Sequence, residues 1–172
     1  VAAGDWEAKE TATASLRWLE IADKLAIHLA TRGVAPELVQ LDGTLAQLDV
    51  QATLRDETDE TALVDQLESI AQAMLEGETD PLLVRELHWK LAGGLFAAAQ
   101  MARHRGAADE SIGLAFKADK QIAMARSPRQ NALSGQVLLG GLYFLVGSQF
   151  AIAKQDHDRA VSWYTKALGP LE

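Results

Sequence analysis

Apolar residues in this chain recur three and four positions apart over long stretches, and that spacing puts them on one side of a helix. Leu38, Leu41, Leu45 and Leu48 keep the step, as do Leu63, Leu67, Ile70 and Met74, and again Leu83, Leu87, Leu91 and Leu95. Composition works the same way. Of the 172 residues, 55 are Ala or Leu and only 15 are Val or Ile, which favours helices over a pleated sheet. The spacing and the punctuation predict seven helices, over 6–32, 36–49, 57–76, 81–105, 109–125, 129–154 and 157–168. Short connections make successive helices antiparallel neighbours, within a single all-α domain over 1–172.

The ends of these segments carry recognisable chemistry. Pro36 stands just inside a helix start, and Asp80-Pro81 reads as an N-cap followed by the first helical position. Pro128 opens the sixth segment, and Pro170 follows Gly169 just beyond the last. Gly33, Gly77 and Gly106 are placed to end helices in the left-handed conformation. Gly43, inside the second helix, is a point where that helix is expected to split or bend.

Charge is unevenly divided. Residues 1–86 carry a net of −12 and residues 87–172 a net of +4, within a total of −8. Such halves can steer a partner or meet another copy end to end, and they can equally be solvated outer faces. Arg103, Arg105, Lys117, Lys120, Arg126 and Arg129 could gather into one basic patch. They are too few, and too poor in interleaved aromatics, for a nucleic-acid partner. The apolar fraction of 48% excludes a disordered acidic chain. The absence of cysteine excludes disulfides, a thiol nucleophile and Cys-bound metal.

The C-terminal stretch from Lys154 to Leu168 resembles the second helix of a tetratricopeptide repeat. Ala160, Tyr164 and Ala167 match that family's pattern in identity and spacing, with Asp156 at the inter-helix turn. Before it, Phe144 matches the family's aromatic and Ser148 its small residue, while Gly147 and Ala151 depart from the pattern. Trp89, Ala92, Gly93 and Phe96 echo the first helix of the repeat, and Trp18, Ile21, Ala22 and Leu25 do so more faintly. The pattern has a packing basis: a small residue admits the partner helix and large neighbours close over it. The spacings of 71 residues from Trp18 to Trp89, and 55 from Trp89 to Phe144, break the family's period of about 34.

The best match covers 144–168. It implies a divergent array of stacked helical hairpins, an α-α superhelix that binds a protein or peptide partner in a groove. Lys90, Arg103, Arg105, Lys117 and Lys120 are the candidate partner contacts. The groove positions matching the last repeat are Leu142, Leu145, Val146, Gln149, Ile152 and Ala153, so a carboxylate clamp is disfavoured and an apolar contact favoured. A start at Val1 rather than Met, and an end directly after the repeat-like unit, also suit a segment of a longer array.

No spacing for catalysis, metal or cofactor is found. His28, His88, His104 and His157 form no ligand pair on one helical face. Gly93-Gly94 and Gly140-Gly141 lack the strand and the Gly-Lys-Ser/Thr of a phosphate loop, and read as close helix crossings. The acidic residues Asp56, Glu57, Asp59 and Glu60 suit a helix start rather than a calcium loop. Gln130 to Ala153 is uncharged and long enough to span a bilayer, but its Gln, Asn and Ser content favours a buried helix of a bundle. The expected function is therefore a non-enzymatic interaction scaffold. A self-assembling helical array is the alternative, and an enzyme with an unrecognised helical site stands behind both.

Overall fold

A computed structural model describes Ala14 and residues 36–54, 59–125 and 133–171. The described residues form six helices: α1 (Pro36–Leu54), α2 (Thr61–Gly77), α3 (Pro81–His104), α4 (Ala108–Ala125), α5 (Leu133–Ile152) and α6 (His157–Leu171). No strand occurs among them, so the chain is all-α there. The first of the seven expected helices, 6–32, lies outside the described residues except for Ala14, and Gly33, His28, Arg126, Pro128 and Arg129 lie outside them as well.

Local chemistry sets most of the boundaries. The Asp80 carboxylate accepts the Leu82 N–H at 2.9 Å and Pro81 opens α3. The Asp59 carboxylate accepts the Thr61 N–H at the start of α2, and that of Asp156 accepts the Arg159 N–H in α6. Gly106, at φ 81°, closes α3 in the left-handed region, with the Ala107 N–H donating to the Ala102 carbonyl. Gln155 adopts the same region, at φ 53°, between α5 and α6.

Three expectations are corrected. α1 runs unbroken through Gly43 to Leu54, because tertiary burial of Leu41, Thr44 and Leu48 on the same helix outweighs about 1 kcal/mol of glycine propensity. Gly77 is the last residue of α2 rather than a left-handed cap, and extended Glu78 ends the helix. α6 continues through Gly169 and Pro170, since proline's fixed φ is helical and so late in the helix it forfeits only one backbone donor.

α3 is the central helix, packing on α1, α2, α4 and α5. Leu41, Leu48, Leu67, Leu87, Leu95 and Met101 are wholly buried around it, each contributing about 1.5–3 kcal/mol of burial. A Cβ on Gly94 would strike Leu67 Cδ2 and sit 3.5 Å from Leu48 Cδ1, so this glycine admits α1 and α2 to α3. Its neighbour Gly93 faces open space. The α3–α4 contact is built on alanine: Ala97, Ala98, Ala99, Ala102, Ala115 and Ala118 are all buried. Ser111 Oγ donates to the Ala99 carbonyl at 2.8 Å, and His88 pairs with Gln121 at 2.7 Å. Residues rising along α3 therefore meet residues falling along α4, and the two helices are antiparallel.

α5 and α6 form the second such pair. Phe150 meets Arg159, Gly147 meets Ala160 and Tyr164, and Tyr143 meets Trp163 and Lys166. Ala160 and Ala167 are buried at 2% and 3% exposure. The close approach falls at Gly147, where a Cβ would lie 2.8 Å from Tyr164 Cδ1, rather than at Ser148. Ser148 is buried and donates its hydroxyl to the Leu145 carbonyl instead. Phe96 packs onto Gly141, linking α3 to α5.

α5 is long and apolar enough to cross a bilayer over Gly135–Ile152, with a mean hydropathy of 1.4, and half of that stretch is buried within the protein.

Candidate interaction surfaces

The five basic residues singled out by sequence do not share one environment. Lys90 pairs with Asp42 of α1, and Lys117 reaches both Glu68 oxygens of α2, at 2.8 and 3.1 Å. Arg105 lies at the α3–α4 turn and bonds Glu60 and Glu110, each at 2.9 Å, with Asp59 at 4.0 Å. Arg103 and Lys120 are exposed and enter no ion pair among the described residues. The acidic half and the basic half thus meet within one chain.

The Arg105 cluster ties the segment before α2 to the turn after α3. Glu60 is completely buried, and among the described residues its second oxygen finds no donor and Arg105 Nε no acceptor. Hydrogen bonding to Glu60 raises the Arg105 guanidinium above its ordinary value, against some desolvation. The Asp59 carboxyl is lowered, first by the hydrogen bonds from Thr61 and less by the charge of Arg105.

Two grooves flank α3 and α4. One, of about 340 Å³, lies between α1 and α3 and is lined by Leu45, Asp49, Glu86, Trp89, Lys90 and Gly93 among others. Partial desolvation raises the Asp49 carboxyl there. The other, of about 300 Å³, separates α2 from α4, with Val64 and Leu114 on its apolar side and Asp65, Glu110 and Lys117 at its rim. The matched groove positions on α5 divide: Leu142, Leu145, Val146 and Gln149 are buried by this chain's own helices, while Ile152 and Ala153 are exposed.

A third feature lies where α4, α5 and α6 converge, and sequence reasoning did not single it out. Phe116 stacks on Trp163 with ring centroids 5.5 Å apart, and Tyr143 lies 5.8 Å from Trp163. The Tyr143 hydroxyl donates to Asp119 Oδ1 at 3.0 Å, and Lys166 Nζ reaches Asp119 Oδ2 at 3.3 Å. Lys166 also sits 4.0 Å from the Tyr143 ring centroid and 4.6 Å from that of Trp163. Burial, and then the charge of Asp119, push the Tyr143 phenol well above its ordinary value. The available signal was Phe116-x-x-Asp119 on one helix and Trp163-x-x-Lys166 on another, spacings that put each pair on one face.

Among the described residues, no three His, Asp or Glu side chains converge as a metal ion would require. His88 is buried against Gln121, and His157 is exposed at the start of α6. Comparison with family models, with characterised proteins and with solved structures returns no match.

Proposed function

We propose that this chain is a non-enzymatic protein- or peptide-binding scaffold, built as a divergent tetratricopeptide-like array of helical hairpins. The observation that carries the reading is the packing of the last four helices. α3–α4 and α5–α6 are antiparallel pairs, and α5 packs on both helices of the preceding pair. The nest formed by Gly147, Ala160 and Tyr164 is the kind of close crossing on which the repeat depends. α3 has 24 residues and α5 has 20, which accounts for a spacing longer than the family's.

Large apolar side chains left in solvent also support a binding role. Phe144, Val161 and Leu168 lie on the outer side of the last hairpin, with Phe144 in ring contact with Tyr164. Pairing of the two charged halves within one chain favours a partner-binding module over a salt-linked self-assembly.

Site-specific photo-crosslinking in the source cells tests this. A benzophenone side chain replaces Lys120 on α4, Phe144 on α5 or, as a comparison, Glu76 on α2. A discrete adduct of one defined mass from Lys120 or Phe144, and none from Glu76, is the expected result. Uniform background labelling at all three positions would remove the scaffold reading.

A further inference from the structure

We infer, building on that scaffold reading, that the saddle between α4 and α6 is a docking face for an acidic, apolar peptide segment of a partner protein. Phe116, Met124 and Trp163 take its apolar side chains, and Lys120 with Lys166 take its carboxylates.

The geometry begins with register. Phe116 meets Trp163 and Asp119 meets Lys166, and both contacts join residues 47 positions apart. A constant offset means that α4 and α6 run parallel and level. No Cα of α4 comes within 8 Å of one of α6, so side chains alone bridge the saddle, and α5 supplies its floor through Tyr143. By the same offset, Lys120 stands level with Ala167, next to Lys166.

The outer stripe of α4 is Phe116, Lys120 and Met124, at i, i+4 and i+8. Phe116 is 44% exposed and Met124 48% exposed. A partly exposed aromatic stack, with an adaptable thioether two turns further along the same helix, is a surface suited to varied apolar side chains.

Charge selects the partner. Asp119 is the acid between the two lysines, and both of its oxygens are already engaged, by Tyr143 and by Lys166. Lys117, one position from Phe116, is committed to Glu68. Lys120 enters no ion pair among the described residues, on a chain whose net charge is −8. A surplus cation beside exposed rings is complementary to a segment that carries carboxylates between apolar residues. A nucleic acid would find only two ammonium groups here, too few to neutralise a run of backbone phosphates.

Fluorescence anisotropy of a fluorescein-labelled peptide alternating Asp-Glu pairs with Phe and Leu, titrated with the full chain, is the test. Binding is expected to weaken at least about tenfold in K120E, and severalfold in M124S, whose side chain is exposed. The same charge reversal in R103E, at the last turn of α3, should leave affinity within about twofold, since long-range charge alone is screened. A peptide with Asn and Gln in place of its acids should bind about tenfold more weakly.

Equal loss in K120E and R103E, no loss in either K120E or M124S, or equal binding of the Asn/Gln peptide would each overturn the docking face. So would Lys120-dependent binding to phosphatidylserine vesicles without binding to the peptide. A crosslink from Phe144 together with an insensitive K120E would leave the scaffold standing and remove this face alone.

Discussion

Gly147 is where a single side chain decides how the last two helices meet. A methyl there would lie 2.8 Å from Tyr164 Cδ1 and 3.3 Å from the Ala160 carbonyl oxygen, and that backbone atom cannot swing aside. Gly147→Ala should therefore destabilise the protein by about 1–3 kcal/mol in urea titration, despite the better helix propensity of alanine. Gly93 is the opposite case. No atom of the described residues lies within 4 Å of its missing Cβ, so Gly93→Ala should stabilise by up to about 1 kcal/mol. The sequence showed both as small residues in helices. The sequence offered Gly93-Gly94 as one crossing and Ser148 as the small residue of another, whereas the structure uses Gly94 of the first pair and Gly147 beside Ser148, because a shift of one residue turns a helical position by about 100°.

Between elements, ion pairs fasten helices that barely touch through their backbones. Arg105 holds Glu60, which has no exposed surface, and so joins the start of α2 to the α3–α4 turn. Arg105→Ala leaves that carboxylate buried without its cation, and the thermal midpoint should fall. Lys117→Ala removes an exposed pair with Glu68 and should change stability by no more than about 1 kcal/mol. A Tm change for Lys117→Ala as large as that for Arg105→Ala would show that burial of Glu60 is not what matters.

At the scale of the whole molecule, Tyr143 connects three helices, since it lies on α5, donates to α4 and underlies Lys166 of α6. Its phenol is raised above the ordinary value of 10.0 by burial and by Asp119. Below that value the phenol is protonated in both folded and unfolded chains, and it gives stability no slope. Above it, the unfolded chain releases the proton while the folded one retains it, so stability declines as the pH rises. Tyr143→Phe should be less stable near neutrality, having lost the bond to Asp119. It should also show a shallower alkaline decline in denaturation curves from pH 9 to 11. Parallel curves for the two proteins would mean that Tyr143 does not remain protonated in the fold. All other ionisable groups are common to both proteins, so the comparison isolates this one.

The helical character of the described segments, the caps at Asp80 and Asp156 and the left-handed Gly106 followed from the chain alone. Each depends on residues within a turn or two of one another, where the 3.6-residue period and the unsatisfied end groups of a helix leave few options. Which cations would be consumed did not follow. Arg105 meets Glu60 across 45 positions and Lys117 meets Glu68 across 49. The aromatic saddle likewise joins residues 47 apart. Such contacts exist only after helices dock, and the docking is set by the summed packing of alanines, leucines and glycines along whole faces. A lysine that reads as free in one dimension can lie against a carboxylate in three, as Lys117 does, while Lys120, three positions along the same helix, stays exposed and enters no ion pair among the described residues.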